Sequence, residues 1–428
     1  MSDSKEIKVV SAETVGFSSN GLERISELAK KLIDKHDIPG AVTLVMRRGK
    51  VVHYDVQGYM DIESKKPMEK DSLFRMYSMT KPVTAVAIMM LYEEGKLMLD
   101  DPISKFIPAF ANQTVIVHQP PAGKALDWPS GRVYTVPVER GVTIRDLLTH
   151  TAGLASLRLT PTFFVKELSG AIKGSLFFPR DDGSVGPEKS VKETIENLAR
   201  IPLNFQPGTD WTYGFEFAAL GVVIETISGK SLEEFFQERI FKPLGMEDSS
   251  FTLSESKIDR LVTEYAWDDS WKLKVKERPQ NSIKLGAAKN VFSGMGEYGG
   301  ILSTPGDYLR FCQMLLNRGE LDGVRLLGSK SVDLMAANHT RDLFIYPRGY
   351  GWGYGFGMSV KTDLTRSTCI GSVGAYGWSG MACTYFVIDP AEQLIGLAFT
   401  QVLGYGFKPG FRFQQQFETA TYQAMKND

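Results

Sequence analysis

Three places in the chain set a serine three residues before a lysine: Ser2/Lys5, Ser78/Lys81 and Ser254/Lys257. Helical residues three apart share a face, so each pair could in principle join a hydroxyl to an ammonium. The first lies in the polar start Met-Ser-Asp-Ser-Lys and the last in the solvated run Ser-Glu-Ser-Lys-Ile-Asp-Arg. Only Ser78/Lys81 opens an apolar run, Pro82-Val-Thr-Ala-Val-Ala-Ile-Met-Met-Leu-Tyr92, which closes at Glu-Glu-Gly95. A short strand-like run is expected to end at Ser78 and a helix to run from there to Gly95, which suits the left-handed stop of a helix. Burial and the helix N-terminus would both ease proton loss from such a lysine. The neighbouring hydroxyl could then attack a carbonyl carbon. The same two residues also fit an N-cap serine beside a snorkelling lysine, so the choice rests on what surrounds them.

Several elements can build that surrounding. Leu22, Ile25, Leu28, Ala29, Leu32 and Ile33 recur at helical spacing between Ser19 and His36. Two β runs follow, Ala41 to Arg47 and Lys50 to Gln57, joined at Arg48-Gly49. Helices are then expected over Thr143 to Thr149, Val191 to Ala199, Phe215 to Ser228, Ser231 to Phe241 and Pro305 to Asn317, with stops at Gly229 and Gly245. Strand runs return at Gly355 to Lys361, Cys383 to Ile388 and Leu394 to Gln401, and a last helix spans Phe411 to Met425. The stretch Asn112 to Arg140, with Pro120, Pro121, Pro129 and Pro137, reads as a long ordered loop that walls a pocket. Together with Thr160–Lys189 it is expected to shape that pocket. Strands at both ends and helices between them imply an α/β (α+β) fold. Its antiparallel sheet is built from both termini and flanked by helices, around an inserted, mainly helical region. The division expected is residues 1–77 with 281–428 against 78–280, with the active site at the junction.

Composition narrows the function. The 428 residues carry 49 basic and 50 acidic side chains, a formal charge of −1, so no single-sign field recruits nucleic acid or an anionic membrane. Apolar residues make up 43% and charged residues 23%, as in ordinary globular proteins. The longest apolar run is too short for a bilayer, which takes about 20 residues, and the first ten residues lack a secretory apolar core. Cys312, Cys369 and Cys383 show no metal-ligand spacing. Reduced thiols and a cytoplasmic setting are expected. The scattered histidines give no metal site, and no cofactor is called for.

The residues around Ser78 decide its reading. Phe74-Arg-Met-Tyr-Ser-Met-Thr-Lys-Pro-Val-Thr-Ala, followed by Glu-Glu-Gly95-Lys-Leu-Met-Leu-Asp-Asp-Pro102, closely resembles serine hydrolases of the β-lactamase/penicillin-binding-protein superfamily. Thr143-Ile-Arg-Asp-Leu-Leu-Thr-His150-Thr-Ala-Gly153-Leu, Pro207-Gly-Thr-Asp-Trp-Thr-Tyr213 and Gly299-Gly-Ile-Leu-Ser-Thr-Pro-Gly-Asp-Tyr-Leu-Arg-Phe follow in family order. The resemblance runs from about Val15 to the last helix and is best to the class C β-lactamase-like esterases, the family VIII carboxylesterases. It implies a β-lactamase/transpeptidase-like fold, with Ser78 as nucleophile and Lys81 and Tyr213 as the pair that moves its proton. Two departures stand out. β-Lactamases have Tyr-x-Asn where this chain has Tyr213-Gly214-Phe215, and their Lys-Thr-Gly is missing; the nearest run, Lys361-Thr-Asp, comes too early. The corresponding place reads Gly377-Trp378-Ser379-Gly380-Met381, similar to the Trp-x-Gly of family VIII esterases. An indole there removes the cation that would hold a substrate carboxylate and leaves an apolar wall, which implies neutral esters rather than penicillins. By the resemblance, the backbone N–H groups of Ser78 and Met381 form the oxyanion hole.

His150 fits no hydrolase triad, because no complete Gly-x-Ser-x-Gly elbow exists. It is expected to order the helix end and the loop after it. The function implied is a serine carboxylesterase acting on small-molecule esters of short to medium chain length. The alternatives are a β-lactamase, a D-amino-acid peptidase or an acyltransferase on the same site, and, more remotely, a non-catalytic ligand-binding relative.

Overall fold

Helix α1, Ser19–Asp34, buries Leu22, Ile25, Ala29 and Leu32 on one side, and the Ser18 hydroxyl caps it by accepting from the Gly21 N–H. The structure, a computed structural model, describes residues 7–119, 132–156, 190–282, 284–285, 300–346 and 348–426. Its main sheet has eight strands: β1 Gly40–Arg47, β2 Lys50–Asp61, β3 Lys66–Pro67, β4 Trp352–Tyr354, β5 Ser359–Lys361, β6 Tyr376–Ser379, β7 Tyr385–Asp389 and β8 Leu394–Phe399. They lie in the order β4-β5-β6-β7-β8-β1-β2-β3, every pair antiparallel. The two ends of the chain meet at β1 and β8, in register from Val42 opposite Phe399 to Arg47 opposite Leu394.

Strand side chains alternate between faces, and that period sorts the sheet residues into two cores. Val42, Leu44, Met46, Phe386, Ile388, Ile395, Leu397 and Phe399 face a large cluster shared with the helices. Ala41, Val45, Tyr385, Val387, Leu394 and Ala398 face the opposite way, onto α1 and the last helix, Phe413–Gln423. Helix α2, Thr80–Glu93, lies inside the large cluster and is buried from Thr80 to Leu91. Each of its buried Val, Ile and Met side chains contributes about 1.5–3 kcal/mol relative to exposure. It stops where Gly95 takes φ +69°.

Helices α3 (Ile144–Leu148), α4 (Val191–Leu198), α5 (Glu216–Ser228) and α6 (Pro305–Leu316) complete the helical side. Reciprocal capping boxes at Thr143/Asp146 and Ser190/Glu193 start α3 and α4. Gly229 ends α5 at φ +68°.

Some expectations are corrected. The supposed loop from Asn112 to Arg140 contains an antiparallel pair, Thr114–Gln119 with Arg132–Pro137; its alternating Val-Ile-Val and Val-Tyr-Thr-Val residues outweigh the flanking prolines. Gly355 to Lys361 is not one strand. The chain turns at Gly357, φ +77°, where a Cβ would lie 2.9 Å from the Lys81 carbonyl oxygen, so β4 and β5 form a hairpin. The helix expected over Ser231–Phe241 changes at Gln237–Phe241 to a wider π turn. Thr160–Lys189 lies outside the described residues. Among the described residues, no helix is long and apolar enough to cross a membrane.

Candidate active site

Ser78 is placed by its approach. Phe74 and Arg75 pair with Ser303 and Leu302, and the Met76 N–H donates to the Ile301 carbonyl at 2.8 Å. Tyr77 then takes φ +47°, a left-handed conformation that strains a residue with a bulky side chain by about 1–3 kcal/mol. Its hydroxyl donates to buried Glu264 at 2.7 Å, which anchors the ring while the backbone turns. A single 3₁₀ turn, Tyr77–Met79, leads into α2. The N-cap position of α2 is Met79 and no side chain caps it. Ser78 is therefore not the capping serine that its spacing also allowed.

The Ser78 hydroxyl instead meets the two predicted partners. Lys81 Nζ, fully buried, donates to Ser78 Oγ at 3.2 Å. The phenol of Tyr213 is hydrogen-bonded to Ser78 as well. Lys81 Nζ also lies 4.5 Å from the centre of the Tyr213 ring and 5.8 Å from that of Phe217. Tyr213 sits on the turn before α5, held by the Thr212 N–H donating to the His150 carbonyl at 3.0 Å. Burial raises its pKa well above the ordinary phenol value, opposed by the hydrogen bonds from Ser78 and from Trp378. At neutral pH the resting tyrosine keeps its proton.

The far wall comes from β6. Trp378, 4% exposed, donates its indole N–H to the Tyr213 oxygen at 3.2 Å, with the two rings 5.6 Å apart. Ser379 points elsewhere, accepting from the Tyr405 hydroxyl at 3.0 Å. At Gly380 a Cβ would lie 2.2 Å from Thr384 Oγ1 and 2.5 Å from the Met76 carbonyl oxygen. Only glycine lets the turn after β6 approach the residues before Ser78 so closely, and Met381 follows directly in that turn. Ser78, Lys81, Tyr213 and Trp378 thus form one connected group, and Gly380 brings the Met381 turn alongside.

His150 does not reach the serine. Its Nδ1 pairs with Glu216 Oε2 at 2.7 Å, both side chains fully buried. Its ring packs on Tyr213, Phe217 and Tyr354 at centre distances of 4.5, 5.2 and 5.3 Å. Burial lowers its pKa, Lys81 nearby adds to that, and Glu216 opposes it. It braces the back of the Tyr213 ring, beyond the loop-ordering role expected of it. Two neighbours were missed in the sequence: Glu216, which belongs to no recognised motif, and Arg348, whose guanidinium lies 5.5 Å from the centre of the Trp378 ring. Nothing in the local sequence of either marks it.

Comparison with known proteins places this geometry. The β-lactamase family matches residues 25–421. The chain belongs to that family. An uncharacterized Mycobacterium tuberculosis protein is 35% identical over 385 residues, covering 87% of this chain and 88% of that one. Esterase EstB of Burkholderia gladioli is 30% identical over 232 residues, covering 54% and 52%. Among solved structures, EstCE1, described as a hydrolase with promiscuous acyltransferase activity, superposes with a TM-score of 0.74 at 25% identity, over 94% of this chain and 99% of that one. Simvastatin synthase (LovD) from Aspergillus terreus shares the fold at a TM-score of 0.73 and 22% identity, over 95% and 98%. Family and fold together make this a serine hydrolase of the β-lactamase superfamily, and its relatives fit the family VIII esterases.

Proposed function

We propose that this protein is a serine carboxylesterase that hydrolyses short- to medium-chain esters through an acyl-enzyme on Ser78. The observation that carries the reading is the hydroxyl of Ser78 held between Lys81 Nζ at 3.2 Å and the Tyr213 phenol. Ser78 Oγ attacks the ester carbonyl while its proton passes into the Lys81/Tyr213 pair, with Tyr213 a neutral phenol that can relay it and Lys81 entering the step as the free amine that holds it. The pair returns that proton to the departing alkoxide as the ester C–O bond breaks. Water then attacks the acyl-enzyme, losing its proton to the same pair, and releases the acid. The N–H groups of Ser78 and Met381 stabilise the oxyanion; the glycine-only contact of residue 380 with Met76 supports that placement. The esterase relatives, and Trp378 in place of the family lysine, favour ester substrates.

The site lies between the residues we assign to the α/β region, 1–77 with 281–428, and the helical region, 78–280. The three free cysteines support a reducing, cytoplasmic setting. Acyl transfer to an alcohol is the second reading, supported by the promiscuous acyltransferase activity named for EstCE1. The test is turnover of p-nitrophenyl butyrate by wild type and Ser78→Ala, with nitrocefin and an added alcohol in parallel assays. Loss of several orders of magnitude in the variant is expected. Unchanged turnover in Ser78→Ala removes the assignment, and dominant nitrocefin turnover or acyl transfer replaces it with the corresponding alternative.

A further inference from the structure

Among the described residues, the guanidinium of Arg348 has no carboxylate partner within ion-pair distance, and its buried Nη2 makes no hydrogen bond. The two buried arginines are treated differently: Arg47 meets Glu392 at 2.7 Å and Arg75 meets Glu277 at 2.5 Å. Arg348 instead lies against ring faces, 5.1 Å from the centre of Trp352 and 5.5 Å from those of Trp378 and Tyr385. The carboxylate of Glu418, whose field reaches it, already accepts the Tyr385 hydroxyl.

Ring faces recover only part of the solvation that such a cation loses. A guanidinium whose Nη2 has no acceptor is matched by a carboxylate, the commonest acceptor for such a group. The position makes that match relevant to chemistry. One face of the indole of Trp378 serves Arg348, while its N–H serves the Tyr213 oxygen. An anion held by Arg348 therefore lies one indole away from the group that moves the proton of Ser78. The segment before β4 that carries Arg348 also presents Phe344, Tyr346 and Tyr350 to solvent, 46%, 50% and 61% exposed, as an aromatic rim.

We propose that Arg348, with the indoles of Trp352 and Trp378, forms an anion subsite that selects esters bearing a carboxylate, such as half-esters of dicarboxylic acids. The inference rests on the esterase reading and revises its expected preference for neutral substrates: the cation absent from the sequence position of Trp378 is supplied from Arg348. The carboxylate is a spectator. Ser78 still forms the acyl bond and the alkoxide still leaves with the transferred proton, so no charge or co-reactant is added.

Binding is tested separately from turnover. Ser78→Ala protein is titrated calorimetrically with p-nitrophenyl hydrogen succinate and p-nitrophenyl butyrate, and with 4-(butanoyloxy)benzoate and phenyl butyrate. A preference of about tenfold or more for the charged member is expected in at least one pair, as for a hydrogen bond between charged groups. The pair that shows it assigns the carboxylate to the acyl or the alcohol side. The preference is expected to vanish in Ser78→Ala/Arg348→Met and to fall partway in Ser78→Ala/Arg348→Lys, which keeps the charge but not the fork; the Lys variant decides if the Met variant does not fold. No preference in either pair, or one that persists without Arg348, overturns the subsite. If wild type turns over none of the four esters while the binding preference stands, the esterase reading falls and the subsite survives.

Discussion

Tyr213→Phe separates a proton-moving tyrosine from a packed one, because it removes one oxygen and keeps the ring. The ring contacts with His150, Trp378 and Lys81 Nζ, at 4.5, 5.6 and 4.5 Å, are retained. Two hydrogen bonds disappear, to Ser78 and from the indole of Trp378. Positioned proton transfer contributes about 10²–10⁴ in rate, so kcat should fall by that factor, about 2.7–5.4 kcal/mol of barrier. Stability should change far less. The buried indole N–H loses its acceptor, a loss of about 1–3 kcal/mol, and relief from burying a hydroxyl offsets part of it. The assay is kcat on p-nitrophenyl butyrate beside a urea melt. A variant that folds as wild type does and keeps kcat within about fivefold would show that the phenol does not carry the proton.

Gly380→Ala should lower activity and stability together, because its Cβ would sit 2.5 Å from the Met76 carbonyl oxygen and push the Met381 turn away from Ser78. A urea melt should show about 1–3 kcal/mol lost, and an unaltered kcat would refute the placement of the oxyanion hole. Glu216→Ala leaves the buried His150 ring without its partner and should destabilise by about 1–3 kcal/mol. His150→Phe/Glu216→Ala should recover part of that, and a double-mutant cycle checks it. His53 titrates at about 4 because it is buried, with Asp55 opposing, and its ring lies 2.8 Å from the Thr43 hydroxyl. The unfolded chain therefore binds the proton first. Stability from this site is whole above about pH 6.5 and is lost as the pH falls toward 4, up to about 3 kcal/mol. Denaturant melts of wild type and His53→Gln at pH 7 and 4.5 should diverge in that sense.

What could be read from the chain follows from how local its causes are. The helix after Ser78 was legible because its apolar run and Gly95 lie in one continuous stretch, and α1 because its period is regular. Tyr213 and Trp378 were reachable through short motifs. The His150–Glu216 pair was not, since its members are 66 residues apart and neither sequence context calls for the other. Arg348 was equally silent: a cation against three aromatic faces depends on β4, β6 and β7 being brought into one sheet, with β5 between the first two. The left-handed Tyr77 has a similar cause, for its anchor, Glu264, is 187 residues away. The hairpin inside Asn112–Arg140 was misjudged for a different reason: prolines in its connection and at its end weighed more than the alternating β-branched residues.

Trp378 joins the two halves of the argument, and Trp378→Phe takes them apart. Phenylalanine keeps an aromatic face for Arg348, now 5.5 Å from the indole centre, but has no N–H for the Tyr213 oxygen. With one of its two donors gone, the phenol loses part of what opposes the effect of burial. Its pKa should therefore rise further, which makes the phenol a poorer relay as the serine proton moves. A neutral donor of this kind contributes about 0.5–1.5 kcal/mol, so kcat should fall by about two- to twelvefold. The preference for carboxylate-bearing esters should remain. If kcat is unchanged, the indole N–H has no part in setting the base; if the charge preference vanishes with it, the indole rather than the guanidinium defines the anion subsite.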